Sequence, residues 1–124
     1  MTTRAVCPAD AIRPTETQCE DTIVAAAIRH GWHVHAERAA QRQSGKWSTP
    51  IKGHAGWPDL VLVHPYHRVL IVAELKRKPG RVEPAQKAWH AALATVGIDV
   101  QVWWVPEQMP TILALLANAG DVAP

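Results

Sequence analysis

The most informative stretch of the sequence is VAELKRK, Val72 to Lys78, which begins as a buried strand would and ends in charged residues. It continues the apolar run 69–71 and then places Glu74 and Lys76 two residues apart. Side chains alternate along a strand, so these opposite charges point to one face and Leu75 points to the other. Burying an isolated carboxylate or ammonium is costly. The pair is therefore expected to meet other charges, water or a metal ion.

A second carboxylate comes from the preceding apolar run. The run DLVLVH, 59–64, is joined to the run 69–75 by the residues PYHR, which predicts a hairpin of two antiparallel strands. A symmetric hairpin places Asp59 opposite the end of the second strand, close to Glu74. Pro58 fixes the backbone before Asp59, and a preceding glycine permits a tight entry into the strand. Asp59 and Glu74 are therefore expected to share one semi-buried cleft.

Two converging carboxylates repel each other, and a divalent cation relieves the repulsion. All-oxygen ligation favours a hard ion, Mg²⁺ or Mn²⁺, which activates water and neutralises charge on a phosphoryl oxygen. Lys76 beside the ion would position or deprotonate the attacking water and stabilise the transition state. The backbone carbonyl of Leu75 and the carboxylate of Glu16 are further candidate metal ligands. Gln86 is placed to hydrogen-bond the lysine or the water.

The rest of the chain predicts one α/β domain in the order α-β-β-β-α-β-α. Its 124 residues, 48% hydrophobic and 19% charged, have the size and balance of a single globular unit. We expect a loose leader over 1–14 and the domain over 15–120. The predicted elements are a helix from Thr15 to Gly31, a strand over 32–38, the hairpin strands 59–64 and 69–75, a helix from Pro84 to Gly97, a strand over 99–105 and a helix from Pro110 to about Gly120. Residues 39–56 are expected to form a long connection, functional or mobile.

Both later helices carry apolar residues at helical spacing. The predicted buried face of the helix from Pro84 consists of Ala85, Trp89, Ala92, Leu93 and Val96. The final helix carries four apolar residues, Ile112, Leu113, Leu115 and Leu116. Its apolar character leaves open a protein-interaction domain that has no affinity for DNA.

Composition bounds the remaining function classes. A formal net charge of +2 is too small for a general nucleic-acid-binding surface, so any basic surface is local. Cys7 and Cys19 form no disulfide framework, and neither a membrane-spanning run nor a signal-peptide core is visible, which favours the cytoplasm. The seven histidines lack the spacing of a zinc site. The candidate nucleic-acid-binding residues are Arg38, Arg42, Lys46, Arg77, Lys78, Arg81 and Lys87.

Pro58-Asp59, followed fifteen residues later by Glu74-Leu75-Lys76, resembles the PD-(D/E)XK nuclease signature. The flanking residues make the chain similar to the VRR-NUC branch, many of whose short members are encoded by phages. The resemblance extends over Thr15-Glu16, Gly31-Trp32, residues 49–53 and 56–60, Gly80-Arg81, Gln86, Trp89 and Val102-Trp103.

The resemblance implies a restriction-endonuclease-like fold, a mixed central sheet flanked by helices, and an endonuclease that hydrolyses DNA phosphodiester bonds with Mg²⁺ or Mn²⁺. It implies metal ligands Asp59 and Glu74, catalytic Lys76, a helix carboxylate at Glu16 and a supporting Gln86. Selectivity for junctions, flaps or nicks and a homodimer are further hypotheses. Members of the family often have Ser where this chain has Glu83 before the Pro-x-Gln turn, and that departure concerns the helix cap.

Several structural interpretations stay open. Glu74 and Lys76 alone would suit a salt bridge at the end of a surface strand, and Glu16 would suit a carboxylate stabilising a helix N-terminus. Glu20 is a second candidate for the helix carboxylate, and Trp47 and Trp57 are candidates for base stacking. A non-cutting nucleic-acid-binding module on a nuclease-like fold is the alternative function.

Overall fold

The computed structural model describes residues 13–37, 40–41, 47–48 and 51–121. Its helices are α1 (Glu16–Arg29), α2 (Pro84–Thr95) and α3 (Met109–Ala117), followed by a 3₁₀ turn at Ala119–Asp121. Its strands are β1 (His33–Ala36), β2 (Ala40–Gln41), β3 (Trp47–Ser48), β4 (Leu60–His64), β5 (Val69–Lys76) and β6 (Gln101–Trp104).

The first helix begins where its capping residues predict. The Thr15 hydroxyl accepts from the backbone N–H of Gln18 at 3.1 Å, and the Gln18 side chain accepts from the N–H of Thr15 at 2.8 Å. This reciprocal pair satisfies two N–H groups that have no partner within the helix. Gly31, at φ 91°, follows the helix C-cap and turns the chain toward β1.

Four strands form a mixed sheet in the order β1-β4-β5-β6. β1 and β5 both pair antiparallel with β4, whereas β6 runs parallel to β5 after the crossover through α2. The predicted α/β class, the mixed sheet and the order of its main elements are confirmed. β2 and β3 form a separate two-stranded ribbon within the segment that the sequence predicts to be an irregular connection.

The core lies on one face of the sheet. α1 packs against α3 and β1, and its Ile23 is fully buried together with Leu62 of β4 and Leu75 of β5. Ile112 and Leu116 of α3 are also buried. The apolar residues of the final helix therefore belong to the core, and the protein-interaction interpretation loses the surface on which it was based.

The predicted buried face of the second helix is wrong. α2 contains no buried residue, Leu93 is only half-buried, and Val96 is 70% exposed. α2 covers only part of the second face of the sheet, where Val63 and Leu70 remain 39% and 48% exposed. The apolar spacing identified a helix correctly but overstated how much of it the rest of the fold covers.

No helix in the described parts of the chain is long and apolar enough to cross a lipid bilayer.

Candidate active site

The hairpin register brings the two predicted carboxylates together. Leu60 of β4 pairs with Ala73 of β5, so Asp59, one residue before Leu60, stands beside Glu74, one residue after Ala73. The turn that sets this register is the predicted PYHR segment, in which Arg68 has φ 58°. A one-residue slip would turn Glu74 to the other face of the sheet.

Asp59 is held by the backbone of the neighbouring strand. Its Oδ2 accepts a hydrogen bond from the backbone N–H of Leu75 at 2.7 Å. Asp59 itself is half-buried, whereas Pro58, just before it, is fully buried. The hydrogen bond fixes the orientation of the Asp59 carboxylate and leaves its other oxygen free of that contact.

Glu74 is fully buried at 0% exposure, which is unusual for an ionisable carboxyl group. Burial, the charge of Asp59 and a hydrogen bond between the two side chains raise the pKa of Glu74 to about 8, against the opposing effect of Lys76. At neutral pH the two adjacent carboxyl groups therefore retain a proton between them unless a cation replaces it. This is the electrostatic condition expected of a cation site.

Gln86, in the first turn of α2, contacts Glu74 directly. Its Nε2 donates to Glu74 Oε2 at 2.7 Å, while its Oε1 accepts from the backbone N–H of Glu83 at 2.8 Å. Because the N–H of Glu83 can only donate, the orientation of the amide is fixed. Glu83 thus occupies the N-cap position, and the residue three positions on supplies the side-chain contact that steadies both the helix and Glu74.

His90 also contacts Glu74, and the sequence reasoning missed it. Its Nε2 lies 3.2 Å from Glu74 Oε1, the oxygen that Gln86 does not contact. Burial and the charge of Lys76 lower the pKa of His90, so the imidazole is neutral at neutral pH. The available signal was its position four residues after Gln86, which places both side chains on one stripe of the helix.

Lys76 and Glu16 complete the charged cluster. Lys76 lies near enough to Glu74 and Glu16 for its charge to lower the pKa of both carboxyl groups. Partial desolvation raises the pKa of Glu16, and the charge of Asp59 raises it further. Glu16 at the start of α1 is therefore an electrostatic neighbour of Asp59 and Lys76, and its role as a metal ligand stays a prediction. Glu20, one turn later, is half-buried.

The described residues contain no group of three or more His, Cys, Asp and Glu side chains arranged to hold a metal ion. The site offers the two adjacent carboxylates of Asp59 and Glu74, with the Leu75 carbonyl as a neutral oxygen nearby in sequence. An oxygen-only donor set beside a raised carboxyl pKa fits a hard divalent cation.

The segment before Asp59 packs against the start of α2. Gly56 has φ 96°, and a Cβ built there would lie 2.5 Å from the backbone carbonyl of Ala85. Trp57 and Trp89 meet edge-to-face with ring centroids 4.9 Å apart, and Trp89 Nε1 donates to the His54 carbonyl at 3.2 Å. The predicted tight glycine turn is present, and it brings α2 toward the carboxylates.

An apolar cleft of about 370 Å³ lies between residues 54–55 and the alanine-rich side of α2. Trp57, at 36% exposed, retains accessible ring surface near it. Trp47, the other candidate for base stacking, lies in β3, and its side chain is outside the described part of the structure.

Four of the candidate DNA-contacting residues can be placed. Lys78, Arg81 and Lys87 are exposed, whereas Arg77 is half-buried and donates from Nε to the Pro14 carbonyl at 3.2 Å. The other three candidates, Arg38, Arg42 and Lys46, lie outside the described residues. The exposed basic side chains therefore lie on the segment that follows β5 and on α2.

The histidines near the hairpin turn have structural partners. His64 Nδ1 accepts from the backbone N–H of His67 at 3.2 Å, so its Nε2 carries the proton and donates to the His30 carbonyl at 2.9 Å. The His64 ring also packs edge-on against Trp32, with centroids 5.2 Å apart. Both ring nitrogens are used, so His64 stabilises the junction between α1, β1 and β4.

Comparisons with known proteins identify a family and a fold similar to those of this chain. A sequence model of the VRR-NUC domain matches residues 15–106, which include the predicted site residues from Glu16 to Gln86 and also His90. A solved structure described as a VRR_NUC domain is similar with a TM-score of 0.57 and 19% sequence identity, covering 80% of this chain and 94% of that chain. At this identity the structural likeness shows the fold alone. A comparison with curated proteins gave no significant match.

Proposed function

Because this chain belongs to the VRR-NUC domain family, we propose that it is a divalent-metal-dependent endonuclease that hydrolyses phosphodiester bonds in DNA. Family membership indicates a nuclease-type function and is consistent with the PD-(D/E)XK superfamily. The observation that carries the finer proposal is the pair formed by Asp59 and fully buried Glu74, with Lys76 on the same strand. A salt bridge at the surface would not require a second carboxylate or two donors from another helix.

Asp59 and Glu74 would hold Mg²⁺ or Mn²⁺, with the Leu75 carbonyl as a further oxygen ligand and Glu16 acting directly or through water. When bound, the ion supplies Lewis acidity that lowers the pKa of water and offsets the charge of a phosphate group. Lys76 would place its ammonium group near the attacking water or the phosphate, where it orients the first or stabilises charge on the second. Gln86 supports the reaction by fixing Glu74.

The DNA backbone would lie across the basic surface of Lys78, Arg81 and Lys87, all exposed on the segment that follows β5 and on α2. The candidate arm of Arg38, Arg42 and Lys46 would extend this contact. Exposed Trp57, two residues before Asp59, would stack on an unpaired base near the scissile phosphate. This arrangement suits branched DNA, such as junctions, flaps or nicked duplexes.

A homodimer is part of the proposal. Val63 and Leu70 leave an apolar area of the sheet exposed on the face that carries Glu74. Pairing two such faces would bury this area and place two sites on one DNA molecule. We also propose a cytoplasmic location, in a bacterial or phage-infected cell.

The central experiment incubates purified protein with linear, nicked, flap and four-way junction DNA in the presence of Mg²⁺, Mn²⁺ or EDTA. We expect cleavage with either ion, none with EDTA, and the highest rate on branched substrates. Asp59→Asn and Glu74→Gln should abolish cleavage while the proteins remain folded.

The same experiment tests the alternative of a non-cutting nucleic-acid-binding module. That alternative requires wild-type protein to shift DNA in a gel with no product under any ion condition. Metal-dependent products that disappear in Asp59→Asn support the nuclease instead. The pairing of Asp59 with a fully buried Glu74 favours the nuclease, because a pure binder gains nothing from this costly arrangement.

A further inference from the structure

Gln86 and His90, both on α2, lie within hydrogen-bond distance of the two oxygens of Glu74. Gln86 Nε2 lies 2.7 Å from Oε2, and His90 Nε2 lies 3.2 Å from Oε1. The two side chains are four residues apart on α2, so they project from the same side of the helix one turn apart. Together they determine the plane in which the Glu74 carboxylate lies.

This contact is also a main attachment of α2 to the sheet. α2 has no buried residue and packs extensively against no other helix or strand in the described structure. α2 also contacts the 54–57 segment, through Trp89 and through the close approach of Gly56. Because no residue of α2 is fully buried, its hydrogen bonds to Glu74 contribute to its position on the sheet.

The chemistry of the two donors suits a ligand for a cation. The Gln86 amide N–H and, in the tautomer protonated at Nε2, the His90 imidazole N–H each use one lone pair of a carboxylate oxygen. Each Glu74 oxygen keeps a second lone pair for the side facing Asp59. Lysine or arginine at position 90 would hold the same oxygen but would repel a divalent cation.

From this geometry we propose that His90 is a positioning residue for the nuclease. It acts with Gln86 as a two-donor clamp that fixes Glu74 in the orientation of a metal ligand. The inference rests on the proposed function and adds to it a residue that the sequence pattern did not identify. Outer groups that orient metal ligands typically change metal affinity or activity by about 10–100-fold when they are removed.

The test compares four variants of the full-length chain by the electron paramagnetic resonance signal of free Mn²⁺ during titration. His90→Phe removes the donor and keeps ring bulk, His90→Gln keeps a neutral donor at similar reach, and His90→Lys keeps a donor but adds charge. Leu93→Ala is the matched control, because this half-buried residue is on the same helix and its side chain has no hydrogen-bond donor for Glu74.

We expect His90→Phe and His90→Lys to weaken Mn²⁺ binding about tenfold or more. His90→Gln should stay within about threefold of the wild type, and Leu93→Ala should bind Mn²⁺ normally. The cleavage rate at saturating DNA should follow the same order with little change in KM. Thermal melting monitored by circular dichroism establishes that each variant is folded.

Unchanged Mn²⁺ affinity in His90→Phe would overturn the proposal, as would a His90→Gln variant that binds as weakly as His90→Phe. Equal weakening by Leu93→Ala would assign the effect to loosening of the helix. If the wild type cleaves DNA, and His90→Phe binds Mn²⁺ and cleaves DNA as the wild type does, only the role proposed for His90 is wrong. If the wild type neither binds Mn²⁺ nor cleaves DNA, both the proposed function and the role proposed for His90 are wrong.

Discussion

At the scale of single residues, Glu74 combines two properties that conflict without a counter-ion, complete burial and an adjacent carboxylate. Gln86 and His90 contact its two oxygens, and Lys76 lowers its pKa less than burial and Asp59 raise it. The resulting pKa of about 8 means that the metal-free protein holds a proton where a cation is expected. Proton release and cation binding are therefore linked.

This linkage predicts the pH dependence of stability for metal-free protein. Because the pKa of Glu74 is raised from 4.5 to about 8, its contribution to the free energy of unfolding is full below pH 4.5 and is lost as the pH rises to about 8. In EDTA, the melting temperature of the wild type should fall between pH 5 and pH 8.5 by about 5 °C more than that of Glu74→Gln. Mn²⁺ added at pH 8.5 should raise the melting temperature of the wild type but not that of Glu74→Gln.

Equal changes in melting temperature for the wild type and Glu74→Gln across that pH range would show that Glu74 does not cause the pH dependence. Differential scanning calorimetry in the two conditions provides the measurement, and circular dichroism at 25 °C verifies that both proteins begin folded.

Lys76 provides a second prediction at this scale. Lys76→Ala should lower the cleavage rate by about 10²–10⁴-fold, the usual contribution of a positioned proton-transfer or charge-stabilising group. Mn²⁺ should still bind, since the carboxylates remain. Single-turnover cleavage and an Mn²⁺ titration measure the two properties separately, and cleavage at the native rate would remove the role assigned to Lys76.

At the scale of elements, α2 is attached through the site and through the segment before β4. The close approach of Gly56 to Ala85 makes this attachment depend on one missing methyl group. Gly53 has a similar positive φ of 90°, but a Cβ there would meet nothing within 4 Å. The pair of glycines separates backbone strain from a steric clash.

We therefore predict different outcomes for two Gly→Ala substitutions. Gly53→Ala should cost about 1–2 kcal/mol of stability from the left-handed backbone and leave cleavage unaffected. Gly56→Ala adds a clash with backbone atoms, so it should displace α2, speed hydrogen exchange over residues 84–95 and lower the cleavage rate. Urea denaturation and exchange mass spectrometry measure these effects, and equal behaviour of the two variants would show that the clash is relieved elsewhere.

The exposure of α2 also changes what is expected from its apolar residues. Leu62→Ala, at a fully buried position of β4, should destabilise the protein by about 2–5 kcal/mol. Leu93→Ala should cost less than about 2 kcal/mol, because half-buried Leu93 loses fewer contacts. The comparison is made from the urea midpoints of the two variants, with the same dependence of unfolding free energy on urea concentration. A larger loss of stability for Leu93→Ala would mean that α2 is covered in solution, as a homodimer would allow.

At the scale of the whole molecule, the two faces of the sheet have different tasks. The face against α1 and α3 contains the core, and the face with Glu74 carries the site, α2 and uncovered apolar side chains. The net charge of +2 supplies little long-range attraction for DNA, so the proposed DNA binding would depend on the local basic residues.

This charge distribution predicts a modest dependence of DNA affinity on salt. Replacing Lys78, Arg81 and Lys87 together by Gln should reduce the slope of log K against log salt concentration by up to about 2.7, for three lost phosphate contacts. Mn²⁺ affinity should not change. Fluorescence anisotropy with labelled junction DNA in Ca²⁺ provides the slopes, and an unaltered slope would place the DNA elsewhere.

The features that depend on residues close together in the chain could be predicted from the sequence. The capping box at Thr15, the hairpin between 59–64 and 69–75, and the alternation that puts Glu74 and Lys76 on one face are all local consequences of spacing and turn chemistry. The hairpin register then brought Asp59 to Glu74, since only four residues separate the two runs.

The exposure of α2 and its contacts with Glu74 were visible only in the tertiary structure. Helical periodicity shows which side of a helix is apolar, but not how much protein covers that side, and α2 turned out to be largely exposed. Likewise, the pairing of His90 with Glu74 joins residues sixteen positions apart through the docking of a helix on a sheet. Such contacts depend on the packing angle and distance between elements, which no local sequence pattern specifies.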